Sequence, residues 1–529
     1  MTYVQRFGLA AMVAALAAFG QASAYAQAPE GETGDETAFI RDPSVQAAFD
    51  AGVKMLGEKN FKGALSEFNK ALNGTATFKG DPTFPEAHIG MGEALKALED
   101  FQNASVAFSR AIEINPNSAA AYNGRGEALL KLPGQHDGAA QDFARALELD
   151  PSNPVALSNM GHILINYARD PVQAIRRLDD ALAQNDQDAR AFRDRGYAHA
   201  LLQDFEKAEA DLKNAAAVDP SDYENFAVMA NIYLFQENLP AGIAALSKAI
   251  EAYQPKSATE PKKYLTGYLG RADAWRALAE KETDQAKAED ALNNVIADAD
   301  AVINDNPDRF PEAGRAQYRK GRALRMLQRY SEAVDAFTLA LEGIPAGQDA
   351  EYVADANMYR GICWYYIGSH DLARGDFEQA SSVGGGFSDP RVYLWIGFTH
   401  HQQGDYREAI KSYSEAISNA PKFALAHTNK GRAYMDLKEY DRAVESFSNA
   451  ILSEPSVGEH YYDMGYAYMK LQDYQKAQHF LNLALRKKDP QPKMYRLMAT
   501  TLRELGREEL AGEYDRKAEQ AQPQQAAGG

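Results

Sequence analysis

Two distant stretches of the chain read alike, position by position. Ala87 to Pro116 is AHIGMGEALKALEDFQNASVAFSRAIEINP, and Ala426 to Pro455 is AHTNKGRAYMDLKEYDRAVESFSNAILSEP. In each, a glycine (Gly92, Gly431) is followed twelve residues later by an alanine (Ala104, Ala443). A phenylalanine comes four further on (Phe108, Phe447), an alanine three after that (Ala111, Ala450), and a proline closes the unit (Pro116, Pro455). The small marker residue recurs at Gly52, Gly92, Gly126, Gly161, Gly196, Ala230, Gly270, Gly321, Gly361, Gly397, Gly431, Gly465 and Ala499. Seven of the twelve intervals are 34 or 35 residues. A fixed period of this length restricts the chain to an array of small stacked units, because one such unit cannot bury its own apolar face.

Within each unit, apolar and small residues recur every three or four positions, as on amphipathic helices. Each unit therefore reads as two helices. The marker and the alanines are small so that the paired helices approach closely. A larger side chain between the alanines, such as Phe143, Phe337, Phe377 or Tyr413, fills the gap. The terminal proline cannot continue a helix and so ends the second one. This pattern resembles the tetratricopeptide repeat family, whose period is 34 residues. The resemblance covers residues 45–519 and implies an all-α, right-handed superhelical solenoid of about thirteen helix pairs, with the first helix of each pair lining the concave side. The seventh unit, about residues 262–310, is too long for a standard pair and predicts extended helices. Residues 73–85 and 255–261 read as loops. Asp515 stands where an aromatic or leucine usually packs, which suits a polar capping helix, and residues 520–529 read as a disordered tail.

The N-terminus has the form of an export signal. Arg6 precedes Phe7 to Gly20, fourteen apolar or small residues, where a membrane-spanning helix needs roughly twenty. Ala24-Tyr25-Ala26 matches a small-x-small cleavage pattern, so cleavage is expected after Ala26, leaving residues 27–44 as a flexible acidic leader. The expected location is periplasmic or otherwise secreted, with no membrane insertion after cleavage. Formal net charge is −18, which argues against general binding to nucleic acid. Cys363 is the one cysteine, so no disulfide can form within the chain, and the fold must rest on packing.

Catalytic patterns are missing. Ten histidines are scattered without metal-ligand spacing, and the His400-His401 doublet reads as one core and one outward residue. There is no phosphate-binding loop or nucleophile elbow. Gly384-Gly385-Gly386 reads as an inter-repeat loop, and Cys363 takes a small-residue packing position. We therefore expect no enzyme, no cofactor and no metal.

Recognition remains. The stretch GRAQYRKGRALRMLQRY, from Gly314 to Tyr330, concentrates positive charge in an acidic chain. In the family that the repeats resemble, residues six and three before the marker and one and four after it tend to face the groove. Around Gly321 those offsets give Arg315, Tyr318, Arg322 and Arg325, with Arg319 beside them. In the preceding unit, Arg271 follows Gly270, and Trp275 lies one turn further on. Further along, the same offsets give Tyr365, Phe398, Tyr462 and Tyr466, near Tyr366 and Trp395, while Trp364, Tyr406, Tyr413, Tyr468 and Tyr474 occupy core positions. The surplus of aromatics suggests a protein-recognition groove. A solvated helix face would show the same arginine stripe, and Glu332 and Asp335 could pair with it locally. Chaperone-binding members of the family carry a carboxylate clamp with lysine three before its marker. Only Asn429 and Arg432 match isolated parts of it. The expected function is a non-enzymatic, protein-binding scaffold of the cell envelope that docks acidic, partly apolar segments in the groove of units seven to twelve. The alternatives are a self-associating or envelope-assembly protein, or an accessory subunit of an enzyme complex.

Overall fold

The computed structural model describes residues 42–255, 261–305, 310–343, 350–382, 389–488 and 490–521. The expected signal, most of the acidic leader, the Gly384–Gly386 loop and the end of the tail lie outside the described residues. All 26 elements among the described residues are α-helices, so the architecture is an all-α repeat solenoid, and 26 helices make thirteen pairs. The chain divides into two compact stacks, Met1–Gly267 and Tyr268–Gly529.

The first stack contains α1 (Pro43–Gly57), α2 (Phe61–Asn73), α3 (Pro85–Ala97), α4 (Phe101–Ile114), α5 (Ala119–Leu130), α6 (His136–Leu149), α7 (Pro154–Asn166), α8 (Pro171–Gln184), α9 (Ala189–Leu201), α10 (Phe205–Val218), α11 (Tyr223–Phe235) and α12 (Leu239–Ala252). The helix that follows, α13 (Leu265–Lys281), runs on into the second stack. There it is joined by α14 (Gln285–Asp305), α15 (Phe310–Met326), α16 (Tyr330–Glu342), α17 (Ala350–Ile367), α18 (His370–Ser382), α19 (Pro390–Gln402), α20 (Tyr406–Asn419), α21 (Ala424–Asp436), α22 (Tyr440–Ser453), α23 (Gly458–Lys470), α24 (Tyr474–Leu485), α25 (Pro492–Glu504) and α26 (Glu508–Gln520). Within each stack, odd-numbered helices pack on the even ones that follow them, and most successive odd-numbered helices also touch. The odd-numbered helices therefore share one face of each stack.

The reason for the helix boundaries is local. Each turn within a pair, except that between α13 and α14, places one residue in the left-handed region, seven or eight after the marker. Glycine fills it at Gly134, Gly368, Gly404 and Gly506, but Lys59, Glu99, Arg169, Gln203, Glu237, Gln328, Lys438 and Gln472 do so elsewhere. The residue after it caps the second helix in many pairs: Asn60, Asp100, Asp204, Asn238 and Asp473 each accept a hydrogen bond from a first-turn N–H.

The core repeats with the same period. Phe68, Phe108, Phe143, Phe337, Phe377, Tyr413 and Phe447 are fully or almost fully buried between the helices of a pair, with Leu178, Leu212 and Leu481 in the same role. Burying each such side chain stabilises its pair by about 1.5–3 kcal/mol. The marker glycines face these rings. A Cβ on Gly431 would lie 2.5 Å from the Phe447 ring, and one on Gly397 2.4 Å from that of Tyr413. Cys363 is buried in a packing position, and burial pushes its thiol up to about 12, which favours the protonated form. Trp364, Tyr406, Tyr468 and Tyr474 are half-buried, in contrast to the fully enclosed Tyr413.

Candidate functional site

The arginine stretch lies on α15, an odd-numbered helix, and its arginines have separate fates. Arg319 donates from Nε (3.0 Å) and a terminal nitrogen (2.6 Å) to one oxygen of Asp273 on α13, and its side chain is 17% exposed. Burial works against its charge, but Asp273 holds its pKa above the ordinary value. Arg322 is equally shielded and lies 3.8 Å from Glu280, which also pairs with Arg276 at 2.5 Å. Its guanidinium stands 5.8 Å from the Tyr318 ring centroid and 5.1 Å from that of Tyr359 on α17. Arg325 stands 5.0 Å over the same Tyr359 ring. The Nε atoms of both Arg322 and Arg325 are buried without a hydrogen-bond partner. No ion pair is formed by Arg325 among the described residues. Arg315 contributes its carbonyl, which accepts from Arg319 and from the Tyr352 hydroxyl.

Two sequence assignments change. Tyr318 does not face an open groove: it is 5% exposed, covered by Tyr352 at 4.2 Å, and donates to Asp355 at 3.2 Å. The three-before offset is filled in because α17 carries a bulky tyrosine that closes over it. Arg271 is committed to Asp298 on α14, at 2.6 and 3.0 Å. The reason is a register shift. Ala272, wholly buried, takes the small position of that pair, so Arg271 stands one before the marker and not one after it. There it joins a recurring arrangement that sequence reasoning missed. Arg125, Arg195 and Arg360, each one before its marker, form forked pairs with Asp142, Asp211 and Asp376 on their own second helices. Each also donates to the preceding second helix, at Ser109, Asp179 and Thr338 respectively. These arginines tie three helices together. Their signal in the sequence is Arg before the marker with Asp before the packed aromatic or leucine.

The aromatic candidates are distributed along the same face. Trp275 is half-buried against the α13–α14 core. Tyr365 and Trp395 lie 5.4 Å apart edge to face, Tyr366 stacks on Tyr330 at 4.9 Å and reaches Trp395 at 6.1 Å, and Trp395 meets Phe398 at 5.2 Å. Tyr366 is 55% exposed. Tyr462 and Tyr466, on α23, pack half-buried against the α24–α25 core, with Lys493 and Lys470 over their rings. Tyr365, Trp395 and Phe398 therefore belong to one ladder, joined to Tyr330 through Tyr366, and Tyr462 and Tyr466 to another place. Asn429 and Arg432 are engaged internally, with the Leu425 carbonyl and Asp463.

The first stack carries a polar ladder on its odd-numbered helices that the basic stretch drew attention away from. Lys96 bridges Glu93 (3.1 Å) and Glu127. Glu127 accepts from Asn159 (3.0 Å), Asn159 accepts from Arg190 (3.1 Å), and Asp194 lies 3.0 Å from His162. Arg193 bonds Asp222 and Glu224. Burial pushes Glu93 up. Burial also disfavours charge on Glu127 and Asp194, yet Lys96 holds Glu127, and His162 with Arg190 and Arg193 holds Asp194, below the usual carboxylate range. Burial lowers His162, helped by Arg190. The groove offsets applied to Gly92, Gly126, Gly161 and Gly196 would have selected Glu93, Lys96, Asn123, Glu127, His162, Arg190 and Arg193. In the His400-His401 doublet, His401 contacts Asp436 at 2.7 Å, and among the described residues no cluster of three metal-ligating side chains occurs.

Stacked helix pairs with a shared face of odd-numbered helices define the class: an all-α repeat protein of the kind that serves as a protein-interaction scaffold. A tetratricopeptide repeat family model matches residues 89–154, 167–223, 278–351, 400–456 and 462–526, more than half of the chain, and a second tetratricopeptide repeat model matches 130–194. The chain belongs to the tetratricopeptide repeat family. It is 30% identical over 133 residues to human tetratricopeptide repeat protein 13, a match spanning 25% of this chain and 14% of that protein's length. Among solved structures, it is similar to a chain of the APC/C hetero-tetramer Cut9-Hcn1 (14% identity, 91% of this chain and 94% of that one, TM-score 0.36). It is also similar to pilF of Pseudomonas aeruginosa (18% identity, 41% and 94%, TM-score 0.35).

Proposed function

We propose that this protein is exported and works without chemistry of its own, as a scaffold in the cell envelope that holds an acidic, partly apolar protein segment against the odd-numbered helices of its second stack. The observation that carries this reading is the pair Arg322 and Arg325, adjacent on α15 over one tyrosine ring, with buried Nε donors unpartnered. Both side chains are partly exposed although their Nε atoms are enclosed, so an incoming carboxylate would meet the outer nitrogens of the guanidinium in a charge-assisted bond. The short apolar run and Ala24-Tyr25-Ala26 support export.

The test uses native envelope extract. The protein isolated from it should begin at or near Gln27 on N-terminal sequencing, and intact Met1 protein in the cytosol would end the export claim. Immobilised protein carrying Arg322→Gln and Arg325→Gln should lose its salt-sensitive partner, while Lys411→Gln with Arg442→Gln, exposed on the even-numbered α20 and α22, should retain it. Equal loss in both pairs would reduce the arginines to a solvated face. A change in oligomer size with the arginine pair would favour self-association instead.

A further inference from the structure

The second stack places an anion-seeking fork and an aromatic ladder on neighbouring helices of one face. Glu280 is shared between Arg276 and Arg322, Asp273 is occupied by Arg319, and Arg325 has no carboxylate partner among the described residues. The fork on α15 is therefore short of negative charge. Its plate, Tyr359, belongs to α17. The ladder begins on the same helix with Tyr365 and exposed Tyr366 and passes to Trp395 and Phe398 on α19. Ile367, next to Tyr366 in the chain, is 40% exposed.

Resting on the docking role proposed above, we infer that the second stack reads a two-point code: an acidic pair on the Arg322–Arg325 fork and an aromatic side chain on the Tyr366–Trp395 ladder, joined by an extended segment. The spacing follows from helix packing. α15, α17 and α19 touch in sequence. Packed helix axes are about 8–10 Å apart, so fork and ladder are separated by up to two steps, about 16–20 Å. An extended chain rises about 3.3 Å per residue, which sets the acidic pair and the aromatic about five or six residues apart. Charge decides the anion, since an acidic side chain relieves the surplus on α15, whereas a basic one would add to it. Edge and face contacts with two or three rings decide the aromatic over an aliphatic anchor.

The experiment uses the chain from Gln27 onward and acetylated, amidated Gly/Ser peptides of about twelve residues, whose blocked ends remove terminal charges. One carries Asp-Asp with a Phe six residues away, in both orders. A second has the Phe adjacent to the Asp pair. A third has the Asp pair alone, and a fourth the Phe alone. Calorimetry should show the six-residue spacing binding about tenfold tighter than the adjacent one in at least one order, a difference of about 1.4 kcal/mol. Arg322→Gln with Arg325→Gln should reduce that peptide to the Phe-only affinity. Lysines at both positions should restore the salt dependence but only part of the affinity, because the planar fork is lost. Tyr366→Ala, at an exposed ring, should reduce it to the Asp-only affinity. Equal binding of the two spacings, or indifference to the fork variants, would overturn the code. If no peptide binds yet the glutamine pair still abolishes capture from the envelope, this code is wrong and the docking role stands.

Discussion

Glycine at a marker position is required by a ring and not by a backbone angle. Gly431 is helical, and the Cβ it lacks would sit 2.5 Å from the edge of Phe447, inside contact distance. Gly431→Leu should therefore overpack the α21–α22 crossing and cost about 1–3 kcal/mol or more. Hydrogen exchange should show lost protection in α21, α22 and their neighbours in the stack, because repeat stability is a sum of nearest-neighbour contributions. Uniform loss through every helix would contradict that locality. At the same scale, the arginine before the marker was legible only in part. Its spacing to aspartate is in the sequence at Arg125, Arg195 and Arg360, but Arg271 was misassigned by two residues, because Gly270 imitates a marker and Ala272 is the residue the helices close upon.

Helices and turns were largely readable. Periodicity marks each helix, and a cap residue follows most turns. The turn also carries a cost visible only in the backbone. Lys438 sits at φ 62°, a conformation that disfavours a side chain, where Gly404 and Gly506 serve in other pairs. Lys438→Gly should raise the stability of the α21–α22 pair by up to about 1 kcal/mol, since the relief of left-handed strain outweighs the added freedom of the unfolded chain. Local hydrogen exchange at α21 and α22 checks it, and a loss would show that Lys438 earns its place by other contacts. The groove face was less readable. Offsets from the marker select side chains that point the right way, but whether the next helix covers them depends on that helix. Tyr352 covers Tyr318, while Tyr366 is left exposed.

Across each whole stack, the odd-numbered face is where charge collects, and the two stacks use it differently. In the first, Lys96, Glu127, Arg190, Asp194 and Arg193 answer one another. In the second, Arg322 comes no nearer a carboxylate than 3.8 Å, at Glu280, and Arg325 forms no ion pair among the described residues. The first ladder predicts a pH response. His162, faced by Asp194, Arg190, Arg193 and Asn166, has its pKa lowered from 6.5, chiefly by burial. A depressed folded pKa means that the unfolded chain binds the proton more readily. The stability carried by neutral His162 is therefore complete above about pH 6.5 and falls as pH drops through the lowered folded value. Exchange protection of α7 and α9 should weaken below about pH 6.5, and His162→Gln should remove that component of the pH dependence. An unchanged pH profile in the variant would place the response elsewhere.

The sequence by itself determined the class of the protein: a fixed period, small residues at crossings and one large side chain per gap leave stacked helix pairs as the way to bury the apolar faces. It also determined the thirteen-fold count and the burial of Phe143, Phe337, Phe377 and Tyr413. Only the tertiary structure decided which polar side chains on the shared face are spoken for. That depends on distances between residues far apart in the chain, such as Arg319 and Asp273, 46 positions apart, or Tyr318 and Asp355, 37 apart, and a repeat pattern fixes the direction of a side chain without fixing what the neighbouring helix brings against it.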